Sequence, residues 1–297
     1  MQLEKLAVLS YGENEENKMK LSFINRNVKK PLLEVKAIKE QQGDFYGMLK
    51  NAEVDRLTES LKEAVTDGLQ GRFCYVTLPD SLIIYKCFKR PLETLPNFEN
   101  KEELENFQNM CLKDNPDKKP LDNYQVTIMG VTKLGDFAYI NCGYVPSITT
   151  KALQRAFARN KIALLAIEPN FYGLRRILRL KFPTQPCVFS QESNFFWTNE
   201  QNIFSLNTVE ADETTNYQVL MAMRQKLFDK QVPWEDVAVV NTNNLQVLPN
   251  WIEMEDQEKD YLTLCGLGSS LRGVKIPGKD EGDKHGLQKL RQLFDRS

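Results

Sequence analysis

Near the start of the chain, apolar positions come in short runs at residues 6–9, 19–24 and 32–38, separated by turn-rich polar stretches at 12–17 and 25–30. Short apolar runs bounded by turn formers predict strands, and three in succession predict an antiparallel meander. After Gly43 the spacing changes. Phe45, Met48, Leu49, Ala52, Leu57, Leu61, Ala64 and Val65 recur at helical intervals, and Gly68 stands where a helix end belongs, which predicts one long amphipathic helix over 45–65.

A strand is expected at 73–78, broken by Pro79 and Asp80, and another at 82–88 before Pro91. An acidic helix over 99–109 carries Leu104 and Phe107, and the lysine- and proline-bearing stretch 115–120 reads as a solvated connection. Strands at 124–131 and 137–143 precede a helix beginning near Ser147, then a strand at 163–167 and a helix over 171–180. Arg175, Arg176 and Arg179 are expected on the solvated face of that helix. The second half predicts strands at 186–190, 195–197, 203–209 and 237–240, helices over 213–229 and 258–272, and a charged tail from 274 with a short amphipathic piece at 287–294. Strands interleaved with helices, without a short internal repeat, indicate a mixed α/β chain.

With 297 residues, 41% of them hydrophobic, the chain can bury a substantial core and has room for about two domains. Lys plus Arg total 39 against 40 Asp plus Glu, so no overall positive field exists to gather a nucleic acid. Residues 1–10 lack the pattern of a signal peptide, and no apolar run approaches the roughly 20 residues that cross a bilayer, so a cytoplasmic location is expected. The six cysteines are scattered, which predicts reduced core residues rather than disulfides or a zinc site.

Candidate chemistry is sparse. The single histidine, His285, lies in a polar stretch with no wall to hold it against a nucleophile, which argues against histidine-dependent catalysis. The turn TLPDS at 77–81 offers Asp80 and Ser81 without a base to activate the serine, and is expected to be structural. YLTLCGLGSSLRG at 261–273 suggests a dinucleotide turn, but Leu271 fills the third glycine position and the 24 residues that follow are too few for the rest of that unit. Its glycines are expected to permit a close helix contact instead. No phosphate-cradling GK-Ser/Thr motif is present, and the chain is not expected to be an enzyme.

Four stretches together resemble one family: FCYVTLPDSLIIYKCFKRP at 73–91, the pair of strands and helix at 124–162, the segment around IEPNFYGLRRIL at 164–178, and CGLGSSLRG at 265–273. Their order is similar to that of the PilM family, actin-like cytoplasmic components of type IV pilus assembly that are themselves similar to the cell-division protein FtsA. The resemblance implies an α/β, actin-like (ribonuclease H-like) two-lobed fold with an inserted small α+β subdomain and a reduced second lobe. Residues 1–82 would form the first lobe, 83–165 the inserted subdomain, 166–273 the remainder of the first lobe with the second, and 274–297 the tail.

The resemblance further implies ATP bound between the lobes and recruitment of the cytoplasmic tail of the membrane protein PilN. Actin-like proteins place Asp followed by Gly after the first strand and after the strand opening the second lobe, with a glycine pair on the adenine side. This chain departs at each place: LAVLSYG has Ser10 before Gly12, CVFSQESN has Ser190, with Glu192 a lone nearby acid, and VVNTNN has Asn241. No cofactor is therefore expected, with ATP and magnesium as the alternative. The expected activity is that of a scaffold of the pilus platform, touching the membrane only through partners and contacting a PilN-like tail and other platform proteins. Leu82, Ile84 and Tyr85 on the strand, with Leu153 and Phe157 on the helix, are the expected tail-binding residues. The alternatives are an ATP-gated actin-like switch and a soluble counterpart of the GspL cytoplasmic domain of type II secretion.

Overall fold

The computed structural model describes residues 3–13, 17–27, 32–69, 71–113, 124–134, 136–182, 187–191, 194–198, 203–207, 238–240, 252–254, 260–272 and 274. Packing divides the chain into two units, Met1–Asp80 with Thr149–Lys181 and Gln246–Ser297, and Ser81–Ile148 with Phe182–Leu245.

The first unit starts with the expected meander: β1 (Glu4–Tyr11), β2 (Lys18–Asn27) and β3 (Leu32–Gln42) pair antiparallel, with Leu6 opposite Ile24 and Leu9 opposite Leu21. β4 (Phe73–Leu78) then lies parallel to β1, and β8 (Ala163–Pro169) parallel to β4. A short strand missed by the sequence reading, β13 (Ile252–Met254), adds parallel to β3, giving the order β13-β3-β2-β1-β4-β8.

The single helix expected over 45–65 is two, α1 (Phe45–Lys50) and α2 (Val54–Ala64). Between them Ala52 takes a left-handed backbone with φ +54°, and Glu53 N–H returns to the Met48 carbonyl at 2.9 Å, as at a helix C-terminus. The apolar spacing carries the reason: the step from Ala52 to Leu57 is five residues, out of phase with a continuous helical stripe. Gly68 does end this region, at φ +106°.

α4 (Ser147–Arg159), expected within the inserted subdomain, and β8, which straddles its expected end at residue 165, pack in the first unit. Thr149 Oγ1 donates to the Leu49 carbonyl at 2.9 Å and Asn160 Nδ2 to the Thr58 carbonyl at 3.0 Å, while β8 continues the sheet. Parallel strands such as β4 and β8 require a long crossover, and the early part of the second unit is inserted within that crossover.

In the second unit β5 (Ile84–Pro91), β7 (Phe137–Pro146) and β6 (Tyr124–Leu134) form an antiparallel sheet in that order. α3 (Lys101–Lys113) covers one face, and Phe88, Phe107, Cys111, Val126, Ile140, Cys142 and Tyr144 form the core between them. Leu82 lies outside β5, in the short helical turn Asp80–Leu82. β9 (Cys187–Gln191), β10 (Asn194–Thr198), β11 (Ile203–Asn207) and β12 (Ala238–Val240) make a second sheet, ordered β11-β10-β9-β12. Cys74, Cys111, Cys142, Cys187 and Cys265 are buried, as expected of core residues. The helix expected over 213–229, His285 and the tail beyond 274 lie outside the described residues.

The last helix explains the glycine-rich stretch. α6 (Tyr261–Ser270) is buried at every residue, and it packs on β1, β2 and β4 and against α5 (Asn170–Lys181). A helix enclosed all round can have no polar stripe, and YLTLCGLGSS has none. At the crossing with α5, a Cβ on Gly268 would stand 1.8 Å from the Gly173 carbonyl oxygen, and one on Gly173 would stand 2.3 Å from the Cys265 carbonyl oxygen. Only glycine fits on either side. Gly268→Ala is therefore expected to destabilise the protein by about 3 kcal/mol, read as a lowered urea midpoint. An unchanged midpoint would mean that the crossing is not close.

Candidate functional site

β1, β4 and β8 are adjacent and parallel, so their C-terminal ends emerge together, the position at which α/β sheets hold ligands. Four segments meet there. β1 supplies Tyr11, Gly12 and Glu13; β4 runs through Pro79 into Asp80; β8 leads into Asn170 and the first turn of α5; and α6 begins at Tyr261.

Asp80 is the centre of this cluster. Both of its carboxylate oxygens accept from the Phe171 N–H, at 3.0 and 3.1 Å, so a carboxylate caps the start of α5. Tyr261 O–H donates to Asp80 Oδ2 at 2.6 Å. Asp80 N–H in turn donates to Glu13 Oε1 at 2.7 Å, and Asn170 Nδ2 donates to the Tyr11 carbonyl at 2.8 Å. Burial, then the Asp80 charge, pushes the Tyr261 hydroxyl well above its usual range, so it stays protonated and donates. The turn TLPDS is thus structural: its aspartate joins two helix starts to two strand ends.

A second polar cluster fixes the other end of α6. Arg26 is 1% exposed, yet each of its nitrogens has an acceptor: Nε donates to Glu4 at 2.9 Å, Nη1 to the Ser270 and Arg272 carbonyls at 2.8 Å each, and Nη2 to the Tyr75 hydroxyl at 3.2 Å. Beside it, buried Glu168 accepts from Arg176 through both oxygens, at 2.7 and 3.0 Å, with Arg272 at 3.6 Å. Arg176, expected on a solvated face, is therefore an ion-pair partner, and Arg179 is buried as well. Burial raises the Glu168 pKa, but the charge and hydrogen bonds of Arg176, with Arg272, outweigh it and hold the carboxyl below its usual range.

The sequence-predicted positions are distributed as follows. Ser10 lies within β1, opposite Lys20 on β2 and Thr77 on β4, and is fully buried. Its hydroxyl faces α6, 3.1 Å from where a Cβ on Gly266 would stand, with no protein hydrogen-bond partner. Gly12 is buried and its N–H closes the β1–β2 connection on the Lys18 carbonyl at 2.9 Å. Ser190 is in β9 of the second unit, and Glu192 and Asn241 lie outside the described residues.

Ile84 and Tyr85 are half-buried neighbours on β5, Ile84 packing toward the α3 core. Leu153 and Phe157 are buried on the α4 face that packs in the first unit, so the five expected tail-binding residues divide between the two units. Among the described residues no helix is long and apolar enough to cross a membrane, and no group of three or more His, Cys, Asp and Glu side chains is placed to hold a metal.

No protein-family model matches the chain, and no curated protein matches it significantly. Solved structures do. The chain is similar to the type IV pilus biogenesis complex PilM–PilN with a TM-score of 0.60 and 13% identity, over 90% of this chain and 98% of that one. It has the actin-like fold. The likeness extends to the cytoplasmic domain of EpsL, an inner membrane component of the type II secretion system of Vibrio cholerae, with a TM-score of 0.51 and 11% identity over 92% of this chain and 97% of that one. The parallel strand ends gathered around Asp80 belong to the first unit, and Gly266 and Gly268 lie in the α6 helix enclosed behind its sheet.

Glu13, Asn170 and Tyr261 had no assigned role in the sequence reading, and Asp80 only that of a residue in a structural turn. A signal existed for one of them, since an aspartate directly after Leu-Pro at a strand end is a natural cap for a neighbouring helix. The partners come from 67 to 181 residues away and carry no local signature.

Glu168→Gln is expected to cost about 3 kcal/mol at neutral pH, because two guanidiniums lose their counter-charge. Its folded pKa lies below the unfolded value of about 4.3, so its contribution is complete above that value and is lost as pH falls through the folded pKa. The stability gap between wild type and variant is accordingly expected to close below about pH 4, measured by urea unfolding across pH. Ser10→Ala is expected to leave stability within about 1 kcal/mol of wild type or to raise it, since the hydroxyl has no protein partner. A large loss in the same assay would show that the hydroxyl is bound.

Proposed function

We propose that this chain is a nucleotide-independent scaffold of a type IV pilus assembly platform, lying at the cytoplasmic face of the membrane and holding the tail of a PilN-like single-span membrane protein. The observation that carries the reading is Asp80 on the first turn of α5. A helix start beside parallel strand ends suits a phosphate, but here a carboxylate already occupies it. A phosphate charge brought within 4 Å of that carboxylate with no cation between them is repelled by about 4 kcal/mol at an effective dielectric of 20, more than the roughly 1 kcal/mol a helix terminus offers. Ser10, where actin-like proteins carry an acid, faces a closed helix contact and supplies no cation ligand. These observations on the described residues support a reading without a magnesium nucleotide.

Likeness to PilM in its complex with PilN supports the choice of partner class. A second reading, the counterpart of a type II secretion component's cytoplasmic domain, is favoured by the match to EpsL over nearly all of that chain. The two differ in the partner presented.

The test is a titration of the purified protein with labelled peptides copying the cytoplasmic tails of single-span membrane proteins encoded beside its gene, with and without magnesium ATP. Saturable binding that ignores ATP is expected. Binding only with ATP would replace the scaffold by a nucleotide-gated switch, and no binding to any tail would remove the platform assignment. Tyr85→Ala, a change on the half-buried β5 strand, is expected to weaken the bound tail about tenfold, or about 1.4 kcal/mol.

A further inference from the structure

We infer that Asp80 is a resident anion: its carboxylate takes the place, at the α5 start, that a bound ligand's negative charge would otherwise fill, and so holds the strand ends of the first unit in one fixed arrangement. The inference rests on the nucleotide-independent reading above and states how the fold does without a ligand.

Three observations carry it. The geometry is that of anion capture rather than of an ordinary surface cap. Two oxygens converge on one helix N–H, a phenol O–H from a second helix donates at 2.6 Å, and the carboxylate is buried at 6% exposure. The donors come from elements far apart in sequence. Phe171 lies in the first turn of α5 and Tyr261 opens α6, and one carboxylate at the β4 end accepts from both. The surroundings are polar and enclosed: Asn170, whose Nδ2 donates to the Tyr11 carbonyl, is fully buried with its Oδ1 lacking a protein partner. Such groups are expected where a site once admitted, or is shaped to admit, something polar.

The companion helix start is treated the same way. Asp260 caps α6 by accepting from Thr263 N–H at 2.9 Å, with Lys20 paired to its other oxygen. Both helix starts in this half of the sheet therefore carry charge supplied by the chain itself.

The test is chemical replacement of the side chain. Asp80→Gly removes the carboxylate and leaves its space, and is expected to lower Tm by about 5–10 °C. Sodium formate, the smallest carboxylate, is expected to restore at least half of that loss at concentrations where sodium chloride of equal ionic strength restores none, and to leave wild type unmoved. Equal responses of variant and wild type to formate, or equal rescue by chloride, would overturn the inference. So would a saturable Tm rise of wild type with magnesium ATP. If Asp80→Gly does not fold, Asp80→Ala, which keeps Cβ and frees the space of the three carboxylate atoms, enters the same titration with the same expected and overturning results. No peptide partner is present in this assay. Its failure therefore leaves tail binding standing, and failure of tail binding leaves it standing.

Discussion

The contact on which the first unit depends is backbone against backbone, where α5 crosses α6 at Gly173 and Gly268. With no side chain on either glycine, α6 can sink between α5 and the sheet until all ten of its residues are out of water. A helix so placed cannot satisfy its ends with solvent, and each end is met by protein. Asp260 and the Tyr261–Asp80 bond serve its start, and Arg26 takes two carbonyls at its close. The polar clusters are thus consequences of the close crossing: a deeper helix obliges the sheet to supply charges in its interior.

The same constraint shapes the candidate site. In an actin-like fold the strand ends of the first lobe are open ground where ligand chemistry is placed. Here the capping of α5 and the anchoring of α6 draw on one carboxylate, so the ground is shared between two structural tasks. A group that must release a ligand on each cycle is ill suited to hold two helices at once.

Much of the fold was legible because local pattern and tertiary fate agree. The meander, β4, the strand pair before Ser147, and α5 all occur where alternation and helical spacing placed them. The failures have separate causes. The break at Ala52 was written in the phase of the apolar stripe, but a single left-handed residue is invisible to residue type when that residue is alanine. β13 is three residues long and is held by pairing with β3, not by propensity. Arg176 looked solvated because its partner Glu168 lies eight residues back on a different element, and an ion pair across a strand-to-helix turn leaves no periodic trace. The glycines of CGLGSSLRG were read correctly as packing residues. What they pack against could not be, since Gly173 lies in a segment 95 positions earlier.

The enclosure of α6 also bears on how the protein comes to exist. Arg26 bonds to the carbonyl of a residue 244 positions later, and the sheet face that receives α6 is assembled from the first 78 residues. During synthesis that face, with Val8, Tyr75 and the aliphatic residues beside them, has nothing to cover it until residue 270 has left the ribosome. At about 5–20 residues per second, the interval between completing β4 and completing α6 is on the order of 10 to 40 seconds. For that time the nascent chain carries an exposed apolar sheet, which makes it a natural client for chaperones and ties its yield in the cell to the speed at which it is translated.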